Sequence, residues 1–243
     1  MQNILKISET DSTNLYLRKL LNDSDLPNFF CISADFQTSG RGQQGTTWQS
    51  NRGENLLFSF LIHSEKIPLD KQFFLSEIVS IGICNALKNS GLDAKIKWAN
   101  DIFYQDKKLA GILIETIISG DKMKYAIVGV GLNVNQIEFS ENLPHAISLR
   151  QILGKEVDCQ AILENILMKI SVLFENFDVN NSDDLQKKYF NLLYRNSGYY
   201  LFEEKNEKIY AKILSVDSDG CLKLLTDKGL EKSFYFKEVK FCL

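Results

Sequence analysis

Arg41 lies inside a glycine-rich stretch, GRGQQG from Gly40 to Gly45, with Trp48 three residues further on. A guanidinium pairs bidentately with a carboxylate or phosphate, and glycine backbone can close over a ligand and offer N–H groups with no side chain in the way. The same six residues satisfy G-x-G-x-x-G, a dinucleotide pattern that works only where a strand meets a helix N-terminus. Here TTWQSNRGEN follows, placing the bulky Trp48 and another glycine, Gly53, where a helix would have to propagate. The dinucleotide reading fails on this context. The stretch is expected to be a lid over a charged small molecule, with a plain surface turn as the alternative.

Three more segments carry residues of the right kind. In KWANDIFYQDKKLAGILIE, residues 97–115, Asn100 and Asp101 could bind a metal ion or ribose hydroxyls, and Lys97 and Lys108 are cations. Gly111 and Glu115 lie on the returning strand; taken alone, the segment reads first as a β-hairpin with a solvated turn at Asp106, Lys107 and Lys108. In GVGLNVN, residues 129–135, Gly129 and Gly131 alternate in a strand, which commonly marks close approach of a ligand or of other backbone. Asn133 is a polar residue in that apolar run, and a bulge without function is the bland reading. Ser12, Thr13 and Asn14 sit where Asp11 and Ser12 supply capping oxygens for a short helix bearing Leu15, Leu17, Leu20 and Leu21.

These groups need a scaffold, and the hydrophobic pattern supplies one. Residues 29–36 read as a buried strand leading into the glycine stretch, and residues 55–63 as a strand covered on both faces. Residues 73–91 have helical spacing and a terminating glycine. Residues 94–100, 108–117 and 124–135 read as strands, and residues 157–177 and 183–194 as helices. From about Ser197 the pattern changes to short alternating strands (208–216, 221–226, 231–236) separated by the turns DSDG and DKG. That module is close to the lower size limit for folding alone. The expected division is 1–196 and 197–243.

Composition narrows the function. With 243 residues, 44% hydrophobic and 24% charged residues and a formal net charge of -3, the chain can bury a core but offers no global field for gripping nucleic acid. Five dispersed cysteines with no C-x-x-C pair, and only two histidines, provide no cluster for a structural zinc and no disulfide framework. The N-terminus lacks the apolar core of a signal peptide, and no stretch approaches the roughly 18–20 apolar residues of a membrane span. A soluble, cytoplasmic protein is expected.

Taken in order, DSTN, Q-x-x-GRG-x-x-G-x-x-W, KW-x-ND with KKLAGIL-E, and GVGLNVN resemble the biotin protein ligases, over residues 12–135. The resemblance implies an α+β fold of the class II aminoacyl-tRNA synthetase/biotin ligase type. That fold has a mixed β-sheet with helices on one face and a small C-terminal SH3-like β-barrel. It implies a two-step reaction: biotin and ATP, with Mg2+, give biotinyl-5′-AMP, and a lysine of a biotin carboxyl carrier protein then takes the biotinyl group. By the same resemblance Ser12, Thr13, Asn14 and Gln37 would serve the biotin head group, with backbone at Gly40, Gly42, Gly111, Gly129 and Gly131. Arg41 would bind the carboxylate and then the adenylate phosphate, and Lys108 would stabilise the transition state. Trp48, Asn55, Lys97, Asn100, Asp101 and Asn133 would form the ATP side, with Asn55 and Asp101 as magnesium contacts; Trp98 reads as structural.

The sequence departs from that pattern. Gln43, Gln44, Thr46 and Thr47 stand where many relatives have arginines, and Ala99 replaces the proline of KWPND. Fewer lid cations should weaken retention of the anionic adenylate, so that it either leaks more freely or is held by backbone and glutamine contacts. With the catalytic block starting at Ser12, a monofunctional ligase without a DNA-binding domain is expected; the resemblance leaves homodimerisation and the barrel's role open. The alternatives are a lipoate or octanoate ligase of the same superfamily and a non-catalytic biotin-binding module. An octanoyl transferase would need a catalytic cysteine, and none falls in the motif blocks. A binding module has no need of both Arg41 and Lys108.

Overall fold

The computed structural model describes residues 3–243, with the side chain of Gln44 outside that description. At its centre runs β7 (Lys122–Leu132), an apolar strand flanked by β3 (Leu56–His63) and β6 (Lys107–Ser119). Outward on one side come β2 (Cys31–Gln37) and β1 (Ile4–Thr10), and on the other β5 (Asp101–Tyr104) and β4 (Lys95–Lys97), giving the order β1-β2-β3-β7-β6-β5-β4. β1 and β2 are parallel and the remaining pairs antiparallel, so the sheet is mixed.

Period-two alternation sorts the central strands onto two faces. Phe58, Phe60, Ile62, Val128 and Val130 point to one side, into the main core under α2 (Phe73–Lys88) and α4 (Cys159–Glu175). Leu61, Ile127 and Ile32 point to the other side and pack beneath Leu17 of α1 (Thr13–Asp23). The expectation of helices on one face is therefore corrected: α1 covers the opposite face, where its apolar stripe finds a second, smaller core. α3 (Leu149–Leu153), opened by a Ser148/Gln151 capping box, and α5 (Asp183–Leu192) complete the helices.

Two local readings also change. The strand expected over 94–100 stops at Lys97; residues 98–100 form a turn and Asp101 opens β5, so the hairpin facing β6 is made by β5. Ser12 occupies the N-cap position of α1 without a side-chain capping bond, and it is Asp11 that accepts from the Ser12 N–H at 2.7 Å.

The C-terminal part forms a second, antiparallel sheet of β8 (Tyr200–Glu204), β9 (Glu207–Val216), β10 (Leu222–Thr226), β11 (Glu231–Phe234) and β12 (Val239–Phe241). Its order, β11-β10-β9-β8-β12, leaves β11 and β12 as edges, so among the described residues hydrogen bonding does not close it into a cylinder. Lys205 and Asn206, both at positive φ, make the tight β8–β9 turn. Trp98 ties this sheet to the first, donating from Nε1 to the Gly220 carbonyl at 3.0 Å and meeting Phe236 edge-on. Arg195 adds a bond to the Cys242 carbonyl at 2.8 Å.

Candidate active site

One row of register partners crosses five strands on the α1 face: Leu57 pairs Gly131, Gly131 pairs Gly111, Gly111 pairs Asp101, and Asp101 pairs Lys97. The paired glycines leave a flat floor between flanking side chains. A Cβ at Gly131 would overlap the Trp48 indole, so the ring lies directly on this floor. Gly129, in the next row beside Ser59 and Leu113, is bare for another reason: a Cβ there would overlap the Asn14 amide.

Above the floor the glycine loop folds back on itself. Trp48 N–H donates to the Gly40 carbonyl at 2.9 Å and Gly42 N–H to the Thr46 carbonyl at 2.7 Å, around a 3-10 turn at Gln43–Gly45. The loop, the α1 start, β4–β7 and the second sheet enclose a cavity of about 610 Å³.

Lys108 reaches this cavity through a bulge. Ile102 pairs Ala110 but Phe103 pairs Lys108, so Leu109 is an extra residue in β6 and side-chain parity reverses across it. Without the bulge Lys108 would face away from Gly111; with it, its Nζ lies 2.7 Å from Asp101 Oδ1 and 5.7 Å from the Trp48 ring centroid. The Lys108 backbone is clamped, its N–H donating to the His145 carbonyl and its carbonyl accepting from Ile147 N–H at 3.0 Å.

The other end of the site is a hydrogen-bonded chain. Gln37 Oε1 accepts from Thr13 N–H at 2.7 Å and from the Thr13 hydroxyl at 3.1 Å. Ser59 Oγ lies 2.6 Å from both Thr13 Oγ1 and Asn14 Oδ1. Asn14 Nδ2 donates to Glu115 Oε2 at 2.8 Å, and Glu115 Oε1 meets Arg41 Nη2 at 3.2 Å. Two loop atoms, Gln43 Oε1 and Trp48 Nε1, are buried without a partner among the described residues.

Cations outnumber carboxylates in the wall. Among the described residues Arg41, Lys97, Lys108, Lys237 and Lys240 line the cavity with one carboxylate, Asp101, while Glu115 and Glu203 outside the lining pair Arg41 and Lys240. Burial holds the Lys97 ammonium below the ordinary lysine range, opposed by Asp101 and reinforced by Lys108 and Arg195. Such a cavity suits a ligand with several negative charges at one end and neutral hydrogen-bonding groups at the other.

Of the residues singled out from the sequence, Ser12, Thr13, Asn14, Gln37, Arg41 and Gly42 line the cavity from α1, β2 and the loop. Trp48, Lys97, Asn100, Asp101, Lys108, Gly111, Gly129 and Gly131 line it from the loop and sheet. Three are not among its lining residues. Gly40 closes the loop. Asn55 is buried with its amide committed, accepting from Val134 N–H at 2.9 Å and bonding Ser50 and Gln136. Asn133 braces the Lys108 segment through the Ile147 carbonyl at 3.1 Å. Sequence reasoning missed Ser59 and the pairings of Glu115 behind the site, and in the cavity wall Phe236 and Lys237 of the β11–β12 turn with Val239, Lys240 and Phe241 of β12.

An α+β fold with a cationic cavity under a glycine loop, joined to a neutral polar pocket, is the framework of an enzyme that handles an organic acid together with a nucleotide. The chain belongs to the Biotin/lipoate A/B protein ligase family, which matches residues 7–133. It is 27% identical over 237 residues to the bifunctional ligase/repressor BirA of Bacillus subtilis, covering 96% of this chain and 72% of that protein. To the biotin–[acetyl-CoA-carboxylase] ligase of Mycobacterium tuberculosis it is 27% identical over 169 residues, 68% of this chain and 61% of that one. Its fold superposes on the biotin protein ligase from Aquifex aeolicus in complex with biotin and ATP with a TM-score of 0.81 and 28% identity, covering all of both chains.

Proposed function

We propose that this chain is an ATP-dependent biotin–protein ligase that forms biotinyl-5′-AMP and passes the biotinyl group to a lysine of a biotin carboxyl carrier protein. The observation that carries the reading is the meeting, in one cavity, of two cations from different elements, Arg41 and Lys108, with the neutral Thr13–Gln37 pair, which Ser59 backs from outside the lining. A cyclic urea needs paired donors and acceptors, which that pocket supplies. A carboxylate approaching an α-phosphate needs cations between the two anions.

In the first step a carboxylate oxygen attacks the α-phosphorus, the bond to the β-phosphate breaks and pyrophosphate leaves. Arg41 binds the carboxylate, and Lys108, aimed by its bulge and clamped backbone, neutralises charge at phosphorus. Trp48 excludes water from the floor. Lys97, with Lys237 of the β11–β12 turn and Lys240 of β12, draws the polyphosphate. In the second step the carrier lysine's neutral amine attacks the mixed-anhydride carbonyl, AMP leaves and the nitrogen loses a proton.

Asp101 is the donor that fits magnesium, because Mg2+ is usually held by one or two carboxylates plus substrate phosphates. It would hold the ion near Lys108, and the ion would supply charge neutralisation on the leaving pyrophosphate. Asn55, with its amide committed elsewhere, is not proposed as a ligand. Residues 1–196 would carry the chemistry, with 197–243 completing the cavity wall.

Acid-dependent ATP–pyrophosphate exchange with magnesium, comparing biotin, lipoate and octanoate, tests this. Exchange is expected with biotin alone, and Lys108→Ala should lower it by about 10²-fold or more while the circular dichroism spectrum is unchanged. Exchange with lipoate instead would assign the chain to the other branch of the family, and no exchange with any acid would sink the ligase reading.

A further inference from the structure

Glu115 stands at a junction. It sits on β6 two residues from Leu113 and four from Gly111, on the same face as the glycine floor, with its side chain only 19% exposed. Its two oxygens have separate partners: Oε2 accepts from Asn14 Nδ2 at 2.8 Å, and Oε1 lies 3.2 Å from Arg41 Nη2, with Arg18 Nη2 more distant at 3.9 Å. Arg41 is itself 41% exposed and belongs to a loop, so a simple surface pair would hold it weakly. Glu115 is different because its other oxygen is held by Asn14, itself buried and bonded to Ser59, so the carboxylate facing the guanidinium is oriented from behind. The remaining N–H groups of Arg41 stay available for a second anion.

We propose that Glu115 is a positioning residue that ties the glycine loop to the α1 start, holding Arg41 over the cavity through a carboxylate oriented by Asn14. The proposal rests on the ligase reading, in which Arg41 receives the biotin carboxylate, and adds a residue that never touches substrate. It makes the state of the polar pocket and the placement of the lid cation interdependent: a head group that disturbs Asn14 also shifts Arg41.

Glu115→Gln separates the two functions, because a glutamine oxygen still accepts from Asn14 but carries no charge for Arg41. The KM for biotin in pyrophosphate exchange should rise roughly 10-fold with kcat changed less than about 3-fold, because a charge-assisted contact that organises ground-state binding is lost. In an Arg41→Ala background the same substitution should change KM by less than about 2-fold, since Glu115 acts through Arg41. A structural role would instead multiply in full on top of Arg41→Ala. Unchanged KM in Glu115→Gln, or full multiplication, overturns the proposal. A measurement without substrate distinguishes this failure from failure of the ligase reading. Trypsin cleavage after Arg41 should be at least about 5-fold faster in Glu115→Gln at equal thermal midpoint, because the loop is untethered. Equal cleavage rates overturn the tether even if no acid supports exchange.

Discussion

Ser59 shows how a single hydroxyl organises the neutral half of the site. It is wholly buried on β3, within 2.6 Å of both Thr13 Oγ1 and Asn14 Oδ1, with one proton to donate and lone pairs to accept. Ser59→Ala leaves polar groups of Thr13 and Asn14 partly unsatisfied away from water. A loss of about 1–3 kcal/mol in urea denaturation is expected. The KM for biotin should rise several-fold with the KM for ATP little changed; equal rises in both would remove Ser59 from the head-group pocket. The sequence carried a faint signal for it, a lone serine inside NLLFSFLIH, but an apolar run tolerates one serine for many reasons. Arg41 and Lys108 were easier to find because fixed spacing from glycines, tryptophan and Asn100-Asp101 accompanies them. Glu115 stood in its motif without a visible partner, since Asn14 is about a hundred residues away in the chain and the contact belongs to the fold.

At the scale of elements, periodicity located the long pieces and failed on what depends on packing. β3, β7, α2 and α4 were legible because each is long enough for its period to repeat. β5 and β12 span four and three residues, too few to show alternation. The face taken by α1 is not written in its stripe, and the β6 bulge that turns Lys108 inward depends on pairing with β5. α2 also contains a residue that its helical pattern does not explain. Glu77 is fully buried, and among the described residues neither its carboxylate oxygens nor the nearby Tyr189 hydroxyl has a hydrogen-bond partner. Burial pushes the Glu77 carboxyl up from 4.5 to about 8. Between those values the folded chain keeps a proton that the unfolded chain has released. Stability should therefore fall as pH rises through that window and level off above it. Denaturant titrations from about pH 5 to pH 9 should show a loss on the order of 3 kcal/mol in the wild type. Glu77→Gln, which has no proton to lose, should abolish most of that slope; a slope retained in the variant would place its origin elsewhere.

For the whole molecule, the question is whether the two sheets behave as one body. A change of pattern near Ser197 reads from the sequence as a boundary, and the five-stranded sheet does begin at Tyr200. The core, however, is continuous: Phe202, Ala211, Ile213, Leu222 and Leu224 belong to the same buried cluster as Phe58, Ile78 and Leu167. The join is specific as well as apolar. Trp98 donates to Gly220, and Gly220 sits so close to Phe73 of α2 that a Cβ there would stand 2.7 Å from the ring. A sheet of this size has too little interior of its own to be stable apart from that shared core. Unfolding should therefore be a single cooperative transition, with tryptophan fluorescence and far-ultraviolet circular dichroism coinciding across a urea titration. Trp98→Phe retains a ring against Phe236 but leaves the Gly220 carbonyl without its donor. It should lower the midpoint, by about 1–2 kcal/mol of stability, without splitting the transition. Because the second sheet forms one wall of the cavity, the same variant should raise the KM for ATP more than that for biotin. Two resolved transitions in the wild type would show that the second sheet folds as a separate unit and that its wall of the cavity can open while the first sheet stays intact.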